Sequence, residues 1–478
     1  MNRGWSVFLP LAAALALASC ALGPDYRRPD VAAPEAWRLA PAATNSLADL
    51  PVEAMYRDPV LNNLVATALT NSPDVRGALA RIEAAAAALR IQRADYWPAV
   101  NGTASYATAR KGNVAPLPGA EGDEFDLFGV LSYEVDVWGR IRRLNEAARA
   151  QYLASEEARR TVAIGLVANV VSTYFNLRAL DRQLDIATET LASRRDMLEL
   201  TRVKFDDGNG IVSELDVAQA QTQVSSAQSA IANLRRLIAI TENALAALLG
   251  GPPRDIPRGL DLEAQWQPEE VPAGLPSDVL LRRPDVRAAE QNLVAANANV
   301  GVARAAYFPA ISLTGALGLQ SDDLGDLFDV GLSKAWNFTP SLAAPIFNAG
   351  KLRANVRAAA AQRQAALADY EKAIQNAFRE VNDALAGVRY LREQLAADED
   401  TVRAESRRFE LAQMRYEGGV ASYSDVLDAQ RYLFSAQLTA VQTRNDLLNA
   451  SVQLYKALGG GWREPAAGAG RSVPPPKE

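Results

Sequence analysis

Few residues in this chain can do covalent or proton chemistry. It holds one cysteine, Cys20, and no histidine in 478 residues. Cys20 follows Leu17-Ala18-Ser19 at the end of an apolar run, Val7 to Ala18, which Arg3 precedes. The run is too short to span a bilayer and fits the apolar region of a secretory signal. Small residues ahead of a cysteine are what a lipoprotein signal peptidase reads, so the expected chemistry is lipidation of Cys20 after loss of residues 1–19. An ordinary signal with an incidental cysteine is the other reading. The missing histidine excludes Ser-His-Asp and Cys-His catalysis and any His-ligated metal. One cysteine excludes an internal disulfide and a Cys-based zinc site. Asp206-Asp207 and Asp322-Asp323 sit in turn-like stretches, and no phosphate loop or activated nucleophile stands out. The reading is therefore no enzyme, no metal and no cofactor beyond the lipid. A net charge of −6 argues against a nucleic-acid partner. A mean hydropathy of −0.10 argues against a polytopic helical membrane protein and leaves a β-barrel open.

The elements that surround this anchor are written twice. Pro73-Asp74-Val75-Arg76 recurs as Pro284-Asp285-Val286-Arg287, and Tyr96-Trp97-Pro98-Ala99 as Tyr307-Phe308-Pro309-Ala310, each shifted by 211 residues. Gly139-Arg140-Ile141-Arg142 answers Gly350-Lys351-Leu352-Arg353 at the same shift. Such a repeat means one structural unit used twice. Each copy begins with an Ala-rich helix, Asp74 to Tyr96 and Asp285 to Tyr307, which Pro98 and Pro309 stop. A long helical stretch follows later, Gly139 to Phe205 and Gly350 to Tyr416. At 1.5 Å per residue each would extend roughly 100 Å. Gly208 and Gly210, then Gly418 and Gly419, permit tight reversal into return helices, Ser213 to Leu249 and Ser422 to Leu458. Leu177, Leu184, Leu191, Leu198 and Phe205 repeat every seven residues, as do Val388, Leu395, Val402, Phe409 and Tyr416. A sustained seven-residue period predicts supercoiled helix packing.

Four segments alternate with period two: Val100 to Thr108, Leu127 to Val137, Ile311 to Gln320 and Trp336 to Ile346. Each has about the length a tilted membrane strand needs, ~9–11 residues. Lys111 to Glu124 and Ser321 to Gly331 read as exposed loops. Lys334 falls on the apolar face near one strand end. Four strands cannot close a membrane barrel, and an open edge in lipid leaves backbone groups unpaired. Either the strands pack in a soluble sandwich or several chains pool them. Three chains of four strands would make twelve.

Cys20-Ala21-Leu22-Gly23-Pro24-Asp25-Tyr26-Arg27-Arg28-Pro29 resembles the start of outer-membrane lipoproteins of the TolC/OprM type (the NodT-like subfamily). Asp58-Pro59-Val60-Leu61, Asn71-Ser72-Pro73-Asp74, Tyr133-Glu134-Val135-Asp136-Val137-Trp138-Gly139 and Pro345-Ile346-Phe347-Asn348-Ala349-Gly350 are similar to its recurring motifs. So is Asp425-Val426-Leu427-Asp428-Ala429-Gln430-Arg431 after the Gly turn. The resemblance implies a mainly α fold with membrane β: a homotrimer with a twelve-stranded β-barrel in the outer membrane and an α-helical barrel in the periplasm. It implies a periplasmic adaptor (membrane fusion) protein and an inner-membrane pump as partners, the pump of the resistance–nodulation–division type. The protein itself would be a passive exit duct for small molecules or drugs. Ala21, where an Asp would suggest inner-membrane retention, agrees with the outer membrane. The implied organisation is a lipidated extended segment over 20–57, one copy over 58–250, an equatorial linker over 251–277, a second copy over 278–460 and a disordered tail over 461–478. The duct of a metal-efflux or type I secretion system is an alternative, and so is a lipid-anchored periplasmic coiled-coil tether.

By the same resemblance, Asp425 and Asp428 match acids that ring the closed periplasmic aperture. Arg431 stands where it can pair with Asp428, and Ser424 is a further lining position. Ringed carboxylates repel one another and select cations. Asp425 also follows Ser422 by three, as Asp216 follows Ser213, and both pairs read as capping boxes. Gly208, Gly210, Gly418 and Gly419 would be the adaptor contact at the hairpin tips, or turn residues only.

Overall fold

Proline, aspartate and serine punctuate the chain where its elements begin. The computed structural model describes residues 21–31, 34–39, 46–51, 55–110, 121–207, 212–265, 273–274 and 276–460. The expected signal, Cys20, Gly208, Gly210, linker residues 266–272 and the tail 461–478 lie outside the described residues. In chain order the elements are α1 (Pro59–Asn71), α2 (Pro73–Ala94), β1 (Ala99–Arg110), β2 (Glu121–Val135), α3 (Arg140–Asp206), α4 (Glu214–Leu248), α5 (Pro276–Arg282), α6 (Pro284–Ala305), β3 (Ala310–Ser321), α7 (Val330–Ser333), β4 (Lys334–Ala343), α8 (Lys351–Glu417) and α9 (Tyr423–Ala457). The matched pairs α3/α8 and α4/α9 have equal lengths, 67 and 35 residues.

Local chemistry sets these limits. Asp58 caps α1 by accepting from the Val60 and Leu61 N–H groups, with Pro59 at the first helical position. Asp136 caps α3, its two oxygens accepting from Ile141 N–H at 3.0 Å and Arg142 N–H at 2.9 Å. Helix α8 ends in a Schellman turn: Val420 N–H reaches Arg415 C=O at 2.9 Å and Gly419 N–H reaches Tyr416 C=O at 3.1 Å. Gly419 takes φ +74°, which an L side chain rarely adopts.

The chain divides into two compact units. One comprises Ala32–Leu79, Glu157–Arg287 and Ala373–Glu478. The heptad residues are its core: Leu177, Leu198, Val388, Leu395 and Tyr416 are buried, while Phe205 is exposed. Asp58 is the polar centre of this unit. It is fully buried and accepts from Tyr174 OH, Leu260 N–H and Gln265 Nε2, each at 2.9 Å. Burial pushes its carboxyl up, but those donors and the helix cap outweigh it and hold the group below the usual carboxylate range. Leu260 and Gln265 belong to the linker, so one carboxylate ties the linker to α1 and α3.

The other unit comprises Met1–Val31, Ala80–Glu156 and Ala288–Lys372. Its sheet has the order β1-β2-β3-β4, antiparallel throughout. The register puts Tyr106 opposite Phe125, Leu127 opposite Leu319, Leu317 opposite Trp336 and Ile311 opposite Leu342. Directly paired residues share a face, so Val100, Leu131, Leu313 and Phe338 join these in one apolar face. Asn101, Ser105, Asp126, Ser132, Ser312, Thr314, Gln320, Asn337 and Ser341 share the opposite, polar face. Lys334 lies on the apolar face at the first position of β4, opposite Leu319.

Three sequence expectations need correction. Strand β2 starts at Glu121, not Leu127, because the β1–β2 ladder continues past the apolar stretch; Tyr106 OH donates to Asp123 there at 3.1 Å. The expected loop Lys111 to Glu124 is thereby shortened, and its residues 111–120 lie outside the described ones. Strand β4 spans Lys334–Ala343 rather than Trp336 to Ile346, since its ladder stops where its partner β3 begins, Ala310 opposite Ala343. Helix α1 was not expected, although Leu61, Leu64, Val65 and Ala68 carry a helical period and are all buried.

Candidate functional site at the hairpin turn

Helix α9 opens on Ser422. Its N–H and Oγ–H donate to Asp425 Oδ2 at 3.2 and 3.0 Å, so Asp425 serves the helix start. The mirror pair Ser213 and Asp216 does the same at 2.8 and 2.7 Å. Asp425 is nonetheless exposed, as are Ser424, Asp428 and Arg431, while Tyr423, Val426, Ala429 and Gln430 are buried. The four expected site residues therefore share the outward side of the first turns of α9. Asp428 and Arg431 approach to 3.9 Å with side chains 52% and 62% exposed. A pair so loose and so wet contributes little, and Asp428 keeps its charge facing solvent.

Gly418 and Gly419 form the turn that delivers α9. Only Gly419 needs to be glycine by conformation; Gly418 has an ordinary φ. Gly208 and Gly210 of the first turn lie outside the described residues, so the structure compares nothing there.

Beneath the exposed acids lies an apolar floor from both hairpins. Met197 and Leu198 of α3, Ala220 and Val224 of α4, Tyr416 of α8, and Tyr423 and Val426 of α9 pack as one cluster. The rings of Tyr416 and Tyr423 meet edge-on at 5.8 Å. Burial, then the neighbouring Tyr416, pushes the Tyr423 hydroxyl up to about 12. Lys204 of α3 donates to Tyr416 C=O at 3.0 Å and sits 4.2 Å from the centre of the same ring. Gln430 Nε2 donates to Ser193 Oγ of α3 at 3.2 Å. Sequence reasoning put Leu198 and Tyr416 on packing stripes but missed the polar contacts of Lys204 and Ser193, and above all Arg194. Leu180, Ala187, Arg194 and Thr201 form a second seven-residue series on α3, and all four are buried. A cation inside that series was the available signal. Among the described residues no group of His, Cys, Asp or Glu could hold a metal ion.

Residues 21–28, which follow Cys20, are also strapped down. Leu22 N–H donates to Trp138 C=O at 3.1 Å. Asn297 Nδ2 donates to Pro24 C=O at 2.7 Å, and Arg143 donates to Asp25 at 2.8 Å. Tyr26 OH and Arg28 Nε both donate to Glu290, at 3.1 and 2.7 Å. The Trp138 ring stacks on Phe308 at 4.8 Å, near the exposed aromatics Tyr96, Trp97 and Tyr307 at the strand ends.

Known proteins are similar to this chain over nearly its whole length. The family model described as outer membrane efflux protein matches residues 64–251 and again 275–460, one match to each copy. The solvent efflux pump outer membrane protein SrpC of Pseudomonas putida is 44% identical over 464 residues, 95% of this chain and 98% of that one. The cation efflux system protein CusC of Escherichia coli O6:H1 is 38% identical over 463 residues, covering 95% of this chain and 99% of its own. The structure of the open state of the Neisseria gonorrhoeae MtrE outer membrane channel superposes with a TM-score of 0.84 at 34% identity, over 92% of this chain and 98% of that one.

Proposed function

The chain belongs to the outer membrane efflux protein family, and from that membership we propose that it is the passive exit duct of a tripartite efflux system, built as a homotrimer. The observation that carries the reading is the sheet. Its four strands present one continuous apolar face, on which Val100, Leu317, Trp336, Phe338 and Leu342 are exposed, and one polar face. Its outer strands β1 and β4 have no further neighbour among the described residues. An apolar exterior, a polar interior and two open edges are what three pooled copies need to close a twelve-stranded barrel in lipid. A coiled-coil tether has no use for such a sheet.

Within this reading Cys20 carries the lipid. The strap from Leu22 to Arg28 supports it, because it starts beside Trp138 and the exposed aromatics that favour a membrane interface. Asp425 and Asp428, with Ser424 and Arg431, ring the periplasmic aperture, threefold repeated. Asp425 does so while capping α9, and Asp428 does so held only loosely by Arg431. The glycine turns meet the adaptor, and the pump behind it is of the resistance–nodulation–division type. The relative named for solvent efflux shares more identity with the chain than the one named for cation efflux, and small organic molecules are the cargo we assign.

Purified full-length protein in planar lipid bilayers tests the proposal. The expected result is a trimer in detergent and discrete ion conductance. A folded sample that is monomeric and non-conducting would refute it.

A further inference from the structure

Arg194 sits where the two hairpins of the chain meet, and its surroundings are wrong for a cation. The residue is 4% exposed. Its Nη1 donates to Gln223 C=O of α4 at 3.0 Å, inside its own hairpin. Across the gap its guanidinium lies 5.4 Å from the centre of the Phe434 ring on α9. Its Nε is buried with no hydrogen-bond partner, and no carboxylate pairs with it among the described residues. The groups that face it electrostatically are Tyr423 and a second cation, Arg431, the residue beside Asp428. Burial disfavours the charge most; Tyr423 favours it, and Arg431 disfavours it by less than Tyr423 favours it.

Resting on the gated-duct reading, we propose that Arg194 sets the opening equilibrium of the gate, by making the packed contact between α3 and α9 deliberately weak. An unpaired buried cation is among the costliest groups a protein interior accepts. A lone polar residue in a helix seam likewise lowers stability. When α9 leaves α3, Arg194 gives up the Phe434 ring face and the favourable neighbour Tyr423, but keeps its bond to Gln223, regains water and escapes Arg431. The Ser193–Gln430 bond, the Lys204–Tyr416 contacts and the apolar floor resist the same movement. The closed packing is thus held by one set of residues and opposed by Arg194, so a modest push at the turn suffices to open it.

Arg194→Met keeps the length of the side chain and removes the charge; Arg194→Lys keeps the charge. Both are made in the full-length trimer. Two measurements are taken: hydrogen exchange of α9 amides near Gln430, and resting conductance in bilayers. Arg194→Met should slow the exchange and lower resting conductance about tenfold, a change of the size seen when buried charge gives way to apolar packing. Arg194→Lys should match the wild type in both. Unchanged or faster exchange in Arg194→Met, or unchanged or higher conductance, would overturn the proposal and make Arg194 a latch or a bystander. A wild-type trimer that does not conduct would instead sink the duct reading, and the exchange result would then decide the packing claim by itself.

Discussion

Removing the Asp58 carboxylate should unfasten the linker without touching the gate. Its two oxygens satisfy the Val60 and Leu61 N–H groups, Tyr174 OH, Leu260 N–H and Gln265 Nε2. In Asp58→Ala the lost cap costs about 1 kcal/mol. Leu260 N–H and the Tyr174 O–H are then stranded in the interior at about 1–3 kcal/mol each, while Gln265 Nε2 keeps its bond to Leu260 C=O. The total is about 3–7 kcal/mol of local stability. Asp58→Asn should resemble alanine more than wild type, since its NH2 would face donors. Hydrogen exchange across residues 255–265 reads the effect directly. The Leu260 amide should exchange at least about a hundredfold faster in either variant. Gly259→Ala should do the same, because a Cβ there would lie 2.0 Å from Asp58 Oδ1. The pH dependence has a definite sign. A carboxyl held below its ordinary pKa stabilises the fold fully above about pH 3.9, and that stability is lost as pH falls through the folded value. Protection of Leu260 that survives in Asp58→Ala would refute the reasoning.

Further outcomes follow from the turn, the acids and the strap. Asp428→Ala, alone and with Asp425→Ala, should raise resting conductance in bilayers; unchanged conductance in both would leave Asp425 a cap and Asp428 a surface charge. Asp425→Ala should also cost about 1 kcal/mol at the start of α9, visible as faster exchange of its first-turn amides. Gly419→Ala should destabilise the α8–α9 turn by about 1–2 kcal/mol in thermal melting, whereas Gly418→Ala, with its ordinary φ, should be close to neutral. In Gly301→Val a Cβ would meet Leu22 O at 2.7 Å and Arg143 Cγ at 2.9 Å, so the strap should detach and trypsin should cut after Arg27 in the folded protein.

Periodicity made most of this fold legible. The 211-residue repeat, which marks the starts at Gly139 and Gly350, and the seven-residue series from Leu177 and from Val388 together gave both long helices to within one residue. The alternation of Leu313, Leu317 and Leu319 gave the faces of the sheet, because pairing preserves them. What failed was local and polar. Strand β2 reaches back to Glu121 because main-chain pairing needs no apolar side chains, and a pattern of apolar residues cannot mark its start. At the site, Ser422 and Asp425 were legible as a cap from spacing alone. That Asp428 stands exposed while Gln430 is buried depends on which side of α9 meets α3. Arg194 was hidden for the opposite reason: arginine reads as surface, and only its place in the second series beside Ala187 and Thr201 betrays its burial.

The central ladder of the sheet fixes an order of events in the life of the chain. Strand β2 pairs with β3, and contacts such as Gln320 to Asp126 join residues 194 positions apart. Between them the chain must first deliver the whole of α3 and α4. Those helices find partners at once, since Leu180 and Ala187 pack on Ile231 and Leu234 of the same hairpin. The β1–β2 hairpin has no such recourse: two strands alone are marginal in water, and ladders closed over long separations form slowly. The helical body is therefore the early part of folding, and β1 and β2 wait, exposed and prone to mispairing, until the second copy is synthesised. Any helper that escorts this protein after secretion has its task defined by that wait.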